Sequence, residues 1–215
     1  MKNKIALLAL FIVMLLIAAC NKDKVDNTPL TNYPNYTQLK VGNYWIYERF
    51  EIDTLGNTIS SQNIFDSAYI QKDTLINSLT YFKLLTPNQF ANVDILFLRD
   101  SLHYLVNSKG KILFSSQDFT TIFSSSYTLI NSDTVCLIEE KMTDNNTPFS
   151  TPSGTFTTAN FKATYNMYPN FTWHGTQRYC NTRYAQNVGL VSETFLFYVS
   201  SPTYTERRLL RYKLN

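Results

Sequence analysis

Residues 155–165, which read TFTTANFKATY, decide the fold more clearly than any other stretch of the sequence. Phe161, Ala163 and Tyr165 alternate there with polar residues. Because successive side chains of a β-strand point to opposite faces, this alternation gives one apolar and one polar face. The stretch therefore predicts a strand that packs one face against a core.

Short runs of the same kind recur along the chain, each bounded by turn residues. Together the predicted strands are residues 41–52, 68–71, 80–85, 93–98, 102–106, 111–114, 135–138, 155–165, 177–184, 192–199 and 207–214. Asn107-Ser108-Lys109-Gly110 predicts a hairpin turn between two of them. In the last run, Leu210, Tyr212 and Leu214 are predicted to share one face.

The composition favours the same class of fold. Aromatic residues make up 15% of the chain, and Thr, Ser and Asn are abundant, which suits strands and turns better than helices. No convincing amphipathic helix follows residue 36, so the crossover helices of a parallel sheet are missing. We expect an all-β, mostly antiparallel domain, built as a single curved sheet or as an open barrel or meander.

The N-terminus has the features of an export signal. Lys2 and Lys4 precede an uncharged apolar run of 15 residues, Ile5–Ala19. A membrane-spanning helix needs about 20 residues, so the run fits the apolar part of a signal peptide better than a permanent span. Residues 1–19 are therefore predicted to be removed.

The apolar run ends in Leu16-Ile17-Ala18-Ala19-Cys20, which resembles the lipobox of bacterial lipoproteins. The resemblance implies cleavage after Ala19 and acyl chains such as palmitate on Cys20. Each buried methylene contributes about 0.8 kcal/mol, so two or three such chains anchor a protein stably in a membrane. The alternatives are a secreted protein with a chance cysteine and a short membrane helix.

A polar stretch follows the predicted lipid anchor. Residues 20–36 carry Pro29 and Pro34 and are expected to form a flexible tether to a β-rich envelope domain, residues 37–215. The charged residues after Cys20 resemble the surface-export signals of Bacteroidota lipoproteins. The match is only partial, because Asp23 is a single acidic residue between two lysines and not part of an acidic cluster. The protein is expected to lie in the cell envelope, anchored to the outer membrane. The sequence does not decide whether it faces the periplasm or the outside of the cell.

Charge and cysteine content narrow the choice of partners. Loss of the signal peptide lowers the formal charge from +3 to +1, which gives no electrostatic case for a nucleic-acid partner. Cys136 and Cys180 then remain, either as a disulfide suited to an oxidising envelope or as two buried thiols on separate strands. The cysteines are not paired as CxxC, so no metal site is predicted.

Two further segments carry a family resemblance. Residues 41–48 read VGNYWIYE, and residues 184–193 read YAQNVGLVSE. Together they resemble a group of uncharacterised Bacteroidota lipoproteins with V-G-x-x-W-x-Y and V-G-L-V-x-E segments. The resemblance implies a β-rich envelope domain and brings no known activity. Physically, Gly42 and Gly189 would permit tight backbone geometry, and Trp45 and Tyr47 share a face that should lie in the core.

The sequence contains no catalytic or cofactor-binding motif of the common hydrolase, protease or nucleotide-binding types, so no cofactor is predicted and catalysis stays uncertain. Glu139 and Glu140 are adjacent on a predicted strand, where their side chains should point to opposite faces and cannot act as a pair. A cluster of aromatic residues near a proline is a possible platform for a glycan or an apolar ligand, or else plugs the end of the sheet. Its members are Tyr168, Phe171, Trp173 and His174.

Five Asp-(Ser/Thr)-apolar triplets resemble the O-glycosylation sequon of Bacteroidota envelope proteins. Their hydroxyl residues are Thr54, Ser67, Thr74, Ser101 and Thr134. About one match is expected by chance. The competing explanation is structural, because Asp-Ser and Asp-Thr form turns and the next apolar residue begins a strand.

Three functions compete at this point. The first is a lipid-anchored envelope protein that presents a non-catalytic binding or structural surface, to a glycan or to an envelope protein. The second is a carrier that holds a hydrophobic ligand in an open β-barrel. The third is an envelope hydrolase, which no residue pattern selects.

Overall fold

A computed structural model of the chain describes residues 33–197 and 199–215, which are antiparallel β structure almost throughout. The strands are β1 (Tyr44–Ile52), β2 (Thr58–Ile76), β3 (Leu79–Pro87), β4 (Val93–Ser101), β5 (Tyr104–Asn107), β6 (Ile112–Ser115), β7 (Ile122–Ile130), β8 (Asp133–Thr151), β9 (Gly154–Met167), β10 (Gln177–Ala185), β11 (Gly189–Leu196) and β12 (Tyr204–Lys213). A short 3₁₀-helix covers Pro169–His174. None of the helical structure in these residues is long and apolar enough to cross a membrane.

The 12 strands form one sheet in the order β6-β5-β4-β3-β2-β1-β12-β11-β10-β9-β8-β7. It consists of two six-strand meanders, which are joined where the first strand pairs with the last. The sheet nearly closes into a barrel with one unsealed seam, which lies between its two edge strands, β6 and β7. The predicted all-β class is therefore confirmed, in its open-barrel form.

The alternation that predicted the strands also explains the barrel interior. In β9, Phe161 and Ala163 are buried, as the alternating pattern of this stretch requires. In β1, Trp45 and Tyr47 are 4% and 1% exposed, and both lie in the largest core cluster. The prediction that these two rings pack in the core is confirmed. The turn at Asn107–Gly110 is also confirmed, with Gly110 N donating to Asn107 O at 3.0 Å.

The last strand differs from its predicted pattern. A register shift against β1 occurs between Ile46 and Tyr47, which pair with Arg211 and Leu209. Leu210 is the residue left between those partners, so the bulge separates it from the regular alternation. Leu209 is therefore buried in place of Leu210, which is half-buried, while Tyr212 is 39% exposed. Arg211 and Lys213 are exposed, and Leu214 packs against the core cluster of Trp45 and Tyr47, so only Leu210 departs from the predicted face.

Two strands are much longer than predicted, and β7 was not predicted at all. β2 and β8 have 19 residues each, because their polar, hydroxyl-rich halves continue the ladders. The far part of the β8–β9 hairpin lies against β10 and β12. Phe149 there contacts the guanidinium groups of Arg183 and Arg208, at 4.4 and 5.8 Å from the ring centre. This hairpin therefore covers polar residues on the outer face of the sheet.

Residues 33–37, which begin the described part, contact the β4–β6 region. The rings of Tyr33 and His103 lie 5.6 Å apart, and those of Tyr36 and Phe114 lie 5.2 Å apart. Thr37 Oγ1 donates to the Asp100 carboxylate at 2.8 Å. Residues 33–36 belong to the predicted tether, yet their rings pack against the barrel because aromatic surface is best removed from water.

Candidate ligand site in the barrel interior

A cavity of about 220 Å³ lies between β9–β10 and β11. Its lining residues come from β8, β9, β10, β11 and the β3–β4 loop. They are Gln89, Glu140, Phe161, Ala163, Tyr165, Cys180, Thr182, Glu193, Thr194, Phe195 and Leu196. The β9–β10 register explains the grouping, because Phe161 pairs with Thr182 and Ala163 pairs with Cys180. Paired residues of antiparallel strands point to the same face, so these side chains share the interior.

Each of the two carboxylates that line the cavity has a cationic partner. Glu193 Oε2 lies 2.5 Å from Arg207 Nη2, and Glu140 Oε2 lies 2.7 Å from Lys111 Nζ. Arg207 is buried, whereas the Lys111 side chain is 46% exposed. One wall of the cavity therefore carries a buried ion pair, and another carries an ion pair that reaches solvent.

Arg207 links this cavity to a smaller and more apolar one. The second space has a volume of about 50 Å³ and is lined by Arg207 together with Trp45, Tyr47, Ile70 and other apolar residues. Arg207 Nη1 donates to Thr86 Oγ1 at 3.0 Å. Burial alone would lower the pKa of Arg207, but Glu193 and its other acidic neighbours hold the pKa above the usual value. The guanidinium stays charged between the two spaces.

A second buried ion pair lies beside this arginine. Arg49 Nε and Nη2 donate to the two carboxylate oxygens of Asp66, at 2.8 and 3.0 Å. The remaining donors of Arg49 reach Asn88 O at 2.6 Å and Gln89 O at 2.9 Å in the β3–β4 loop. Asp66 also lies 4.0 Å from Arg207. The pair therefore holds β1, β2 and the loop that contributes Gln89 to the larger cavity.

The hydroxyl and thiol groups of the cavity are kept protonated. Burial raises the pKa of the Cys180 thiol to about 12. Burial, with smaller contributions from Cys180 and Glu140, also raises the pKa of Tyr165. Thr194 Oγ1 is buried and has no hydrogen-bond partner among the described residues. Thr194 pairs with Glu206 and lies between the cavity-facing residues Glu193 and Phe195, so its hydroxyl points to the opposite face of β11, away from the cavity.

Side chains close the seam that the backbone leaves open. Ser115 N, in β6, donates to Met142 Sδ, in β8, at 3.3 Å. The rings of Tyr104 and Phe123 meet across the seam at 5.9 Å. The Lys111–Glu140 ion pair makes a third link, and Glu140 is also part of the cavity wall. At the seam, Glu140 therefore links the wall of the larger cavity to the exposed side chain of Lys111.

Both described cysteines are free thiols. Cys136 pairs with Met167 and Cys180 pairs with Ala163, on β9 between them. Two strand spacings of about 4.8 Å and an offset of roughly 13 Å along β9 separate their Cα atoms by far more than the ~7 Å that a disulfide allows. Of the two arrangements expected from the sequence, the structure has the one with thiols on separate strands.

The arrangement of these thiols predicts their reactivity. In the native protein at pH 8, Cys180 should not react with a thiol reagent such as Ellman's, because a pKa of about 12 leaves almost no thiolate. Cys136 should also be silent, since it is fully buried. Denaturation without reductant should release both thiols. A reading of no thiol after denaturation would show a disulfide and contradict the geometry.

The predicted aromatic platform divides into a half-buried part and an exposed part. Phe171 packs against the cluster formed by Val135, Cys136 and Met167. Trp173 is 67% exposed, and Tyr168 is also exposed. The structure therefore brings the platform residues together on and beside the 3₁₀-helix, where one ring plugs the sheet and two face solvent.

The five predicted glycosylation residues occupy different environments. Thr54 is exposed in the β1–β2 turn, and Ser67 is exposed on β2, whereas the other three are half-buried: Thr74, Ser101 and Thr134. The aspartates of the triplets have structural partners in several cases. Asp53 accepts hydrogen bonds from Leu55 N and Asn57 N, and Asp66 holds Arg49. Thr54 has the most open position for a modifying enzyme.

Metal-binding and paired-acid chemistry find no support in the described residues. No group of three or more His, Cys, Asp and Glu side chains within them is placed to hold a metal ion. Glu139 accepts from Asn166 Nδ2 at 3.2 Å, while Glu140 binds Lys111, so the two adjacent carboxylates have separate environments. Cys20 lies outside the described residues.

No protein-family model matches the chain, and no curated protein matches it either. Two solved structures are similar to it. One is described as an exported protein of Bacteroides fragilis with a YmcC-like fold, and it has 13% identity and a TM-score of 0.46 over 84% of this chain and 99% of its own. The other is described as a lipoprotein of Parabacteroides distasonis, with 14% identity and a TM-score of 0.41 over 85% of this chain and 100% of its own.

Proposed function

We propose that this chain is a lipid-anchored protein of the bacterial cell envelope that binds a small ligand inside its barrel without transforming it. The anchor rests on the sequence, in which the apolar run Ile5–Ala19 leads directly into Cys20. The ligand site rests on the cavity between β9–β10 and β11. Removal of the signal peptide would leave a single binding domain on a short tether.

The interior cavity is the observation that carries the binding function. Side chains can just fill a barrel of about eight strands, whereas this sheet of twelve strands keeps a space of about 220 Å³ beside Phe161 and Leu196. Unfilled space costs packing energy, since its lining loses contacts that a filled core would make. A bound molecule would restore those contacts.

The lining indicates the chemistry of the ligand. Phe161, Ala163 and Phe195 offer apolar surface, whereas Glu140 and Glu193 offer carboxylate oxygens. An amphiphilic molecule with a hydrogen-bond-donating end, such as an amine, fits both. The volume is below the ~300–1,000 Å³ of pockets for drug-sized molecules, which favours a small ligand over a full lipid chain. Binding of the ligand is favoured over its chemical conversion, because the thiol of Cys180 stays protonated and is therefore a poor nucleophile.

Native mass spectrometry of the full chain, purified gently from its own host, tests this function. We expect a bound mass that leaves on denaturation and a covalent lipid mass on Cys20 that remains. Ala163→Leu should fill the cavity and remove the non-covalent mass. Thr164→Leu is the matched control, because Thr164 is the next residue of β9 and points away from the cavity wall.

The outcomes separate the two parts of the proposal. A wild-type chain without any non-covalent mass would refute the ligand and redirect the search to protein partners. The same bound mass on folded Ala163→Leu protein would place the ligand elsewhere. Loss of the covalent lipid in Cys20→Ser protein would support the anchor, and an unlipidated wild-type chain would refute it.

A further inference from the structure

A further cavity, of about 230 Å³, lies on the outer face of the barrel wall and is called the outer pocket below. The β1–β2 turn, β8, β9, β10, β11 and β12 contribute to its lining. Lys162 and Asn181 line it and pair with each other, whereas their strand neighbours Phe161 and Thr182 line the interior cavity. Because successive residues of a strand point to opposite faces, the two cavities lie on opposite sides of the sheet.

The lining of the outer pocket is polar and balanced in charge. Lys162 and Arg183 contribute two cations, and Asp53 and Asp144 contribute two carboxylates. An anionic ligand would meet both carboxylates, and a cationic ligand would meet the lysine and the arginine. The arrangement therefore favours a neutral molecule that both donates and accepts hydrogen bonds.

Several polar groups of the outer pocket have unused hydrogen-bonding capacity. Thr194 is 5% exposed, and its Oγ1, on the pocket side of β11, has no partner among the described residues. Asn181 Oδ1 accepts from Asn160 Nδ2 at 2.8 Å, so the amide is oriented while its own Nδ2 remains to donate. Lys162 Nζ lies 3.8 Å from the ring centre of Tyr179 and forms no ion pair within the described part of the chain. These groups are donors and acceptors that a ligand would satisfy.

Neighbouring side chains hold the lining in place. The buried amide of Asn160 donates both to Asn181 Oδ1, at 2.8 Å, and to Asp144 Oδ2, at 2.9 Å. Arg183 Nη1 donates to Glu206 Oε1 at 3.2 Å. A site whose polar groups are already oriented loses less conformational entropy when a ligand binds.

We propose that the outer pocket binds a small neutral polyhydroxylated molecule, such as a single sugar ring. A hydroxyl group both donates and accepts, so it can pair with the Asp144 carboxylate as well as with Lys162 and Asn181. The ring of Tyr179 supplies a flat apolar surface for the C–H groups of such a ligand. The volume is below the ~300–1,000 Å³ of pockets for drug-sized molecules, which favours one ring over a chain of sugars.

Isothermal titration calorimetry of the full chain in detergent, with glucose, galactose and mannose as probes, tests this site. We expect saturable binding of at least one sugar, with a Kd of about 1 mM. Lys162→Met should weaken this binding about tenfold or more, because it removes a charged donor. Lys141→Met is the matched control, since Lys141 pairs with Lys162 across β8–β9 but is exposed and outside the pocket. Its sugar affinity should equal that of the wild type.

Thr194→Val distinguishes a ligand-binding hydroxyl from a structural one. The substitution replaces a buried hydroxyl that lacks a partner, so the melting temperature should equal or exceed that of the wild type. Sugar affinity should fall about fivefold, the effect of one neutral hydrogen bond. A clear loss of stability would show that the hydroxyl serves the fold, and would contradict its assignment to a ligand.

Three other results would overturn the proposal. The first is a folded wild-type chain that binds none of the three sugars, and the second is equal weakening by Lys141→Met and Lys162→Met. The third is saturable binding of inorganic phosphate in place of the sugars, which would make the ligand an anion. None of these results bears on the ligand of the interior cavity, because the substituted side chains lie on the opposite face of the sheet.

Discussion

Replacing Asp66 with alanine is expected to lower the free energy of unfolding by about 3–5 kcal/mol, because it leaves the buried charge of Arg49 without its partner. Both side chains of this ion pair are almost completely removed from solvent, at 2% and 4% exposure. Arg207 would lose a neighbouring carboxylate as well, at 4.0 Å. Denaturant unfolding of the purified protein, followed by circular dichroism, measures the change.

The control for this prediction lies on the same strand. Asp73 belongs to β2 but is exposed, so Asp73→Ala should change the free energy of unfolding by no more than about 0.5 kcal/mol. An apolar double variant, Arg49→Met with Asp66→Leu, should be more stable than Asp66→Ala, because no unpaired charge remains buried. If Asp66→Ala and Asp73→Ala were equally stable, the ion pair would have no structural importance.

Replacing Gly189 with alanine is expected to destabilise the fold by about 2–4 kcal/mol, combining an unfavourable backbone conformation with an overpacked contact. Gly189 has φ +103°. An added Cβ would lie 3.0–3.2 Å from three atoms of the Trp45 indole. The indole cannot easily retreat, since its Nε1 donates to Val188 O at 2.7 Å.

Gly56 separates the two causes of this effect. It has φ +86°, close to that of Gly189, but an added Cβ there meets nothing within 4 Å. Gly56→Ala should therefore show the backbone cost of about 1–2 kcal/mol alone. Because the chain has only two tryptophans, a Trp173→Phe background lets fluorescence report on Trp45 during unfolding. Equal destabilisation by Gly189→Ala and Gly56→Ala would contradict the predicted contact with the indole.

Much of the fold followed from alternation in the sequence. The pattern of residues 155–165 corresponds to β9, and the two rings of β1 lie in the core as predicted. β7 was missed because three consecutive serines, Ser124 to Ser126, look like a loop when hydrophobicity is the guide. Its structure comes from pairing with β8, a tertiary effect that local pattern does not contain. The bulge before Tyr47 was hidden for the same reason.

The candidate site was not predicted, because its residues are brought together by the barrel from four strands and a loop. The ion pairs inside the barrel did leave a signal in the sequence. Arg49 follows Trp45 and Tyr47 at the same two-residue spacing, and Asp66 precedes Ala68 in the same way. A charged residue in register with core positions indicates a buried pair, although spacing alone does not identify the partner.

The contacts of residues 33–37 determine how the barrel would respond to a mechanical pull. Tension that arrives along the chain from its N-terminal side would meet the Tyr33–His103 contact first and then the Thr37–Asp100 hydrogen bond. Asp100 lies at the end of β4, whereas the Arg49–Asp66 pair joins β1 and β2. The terminal contacts can therefore break one after another before the tension reaches the strands that line the interior cavity.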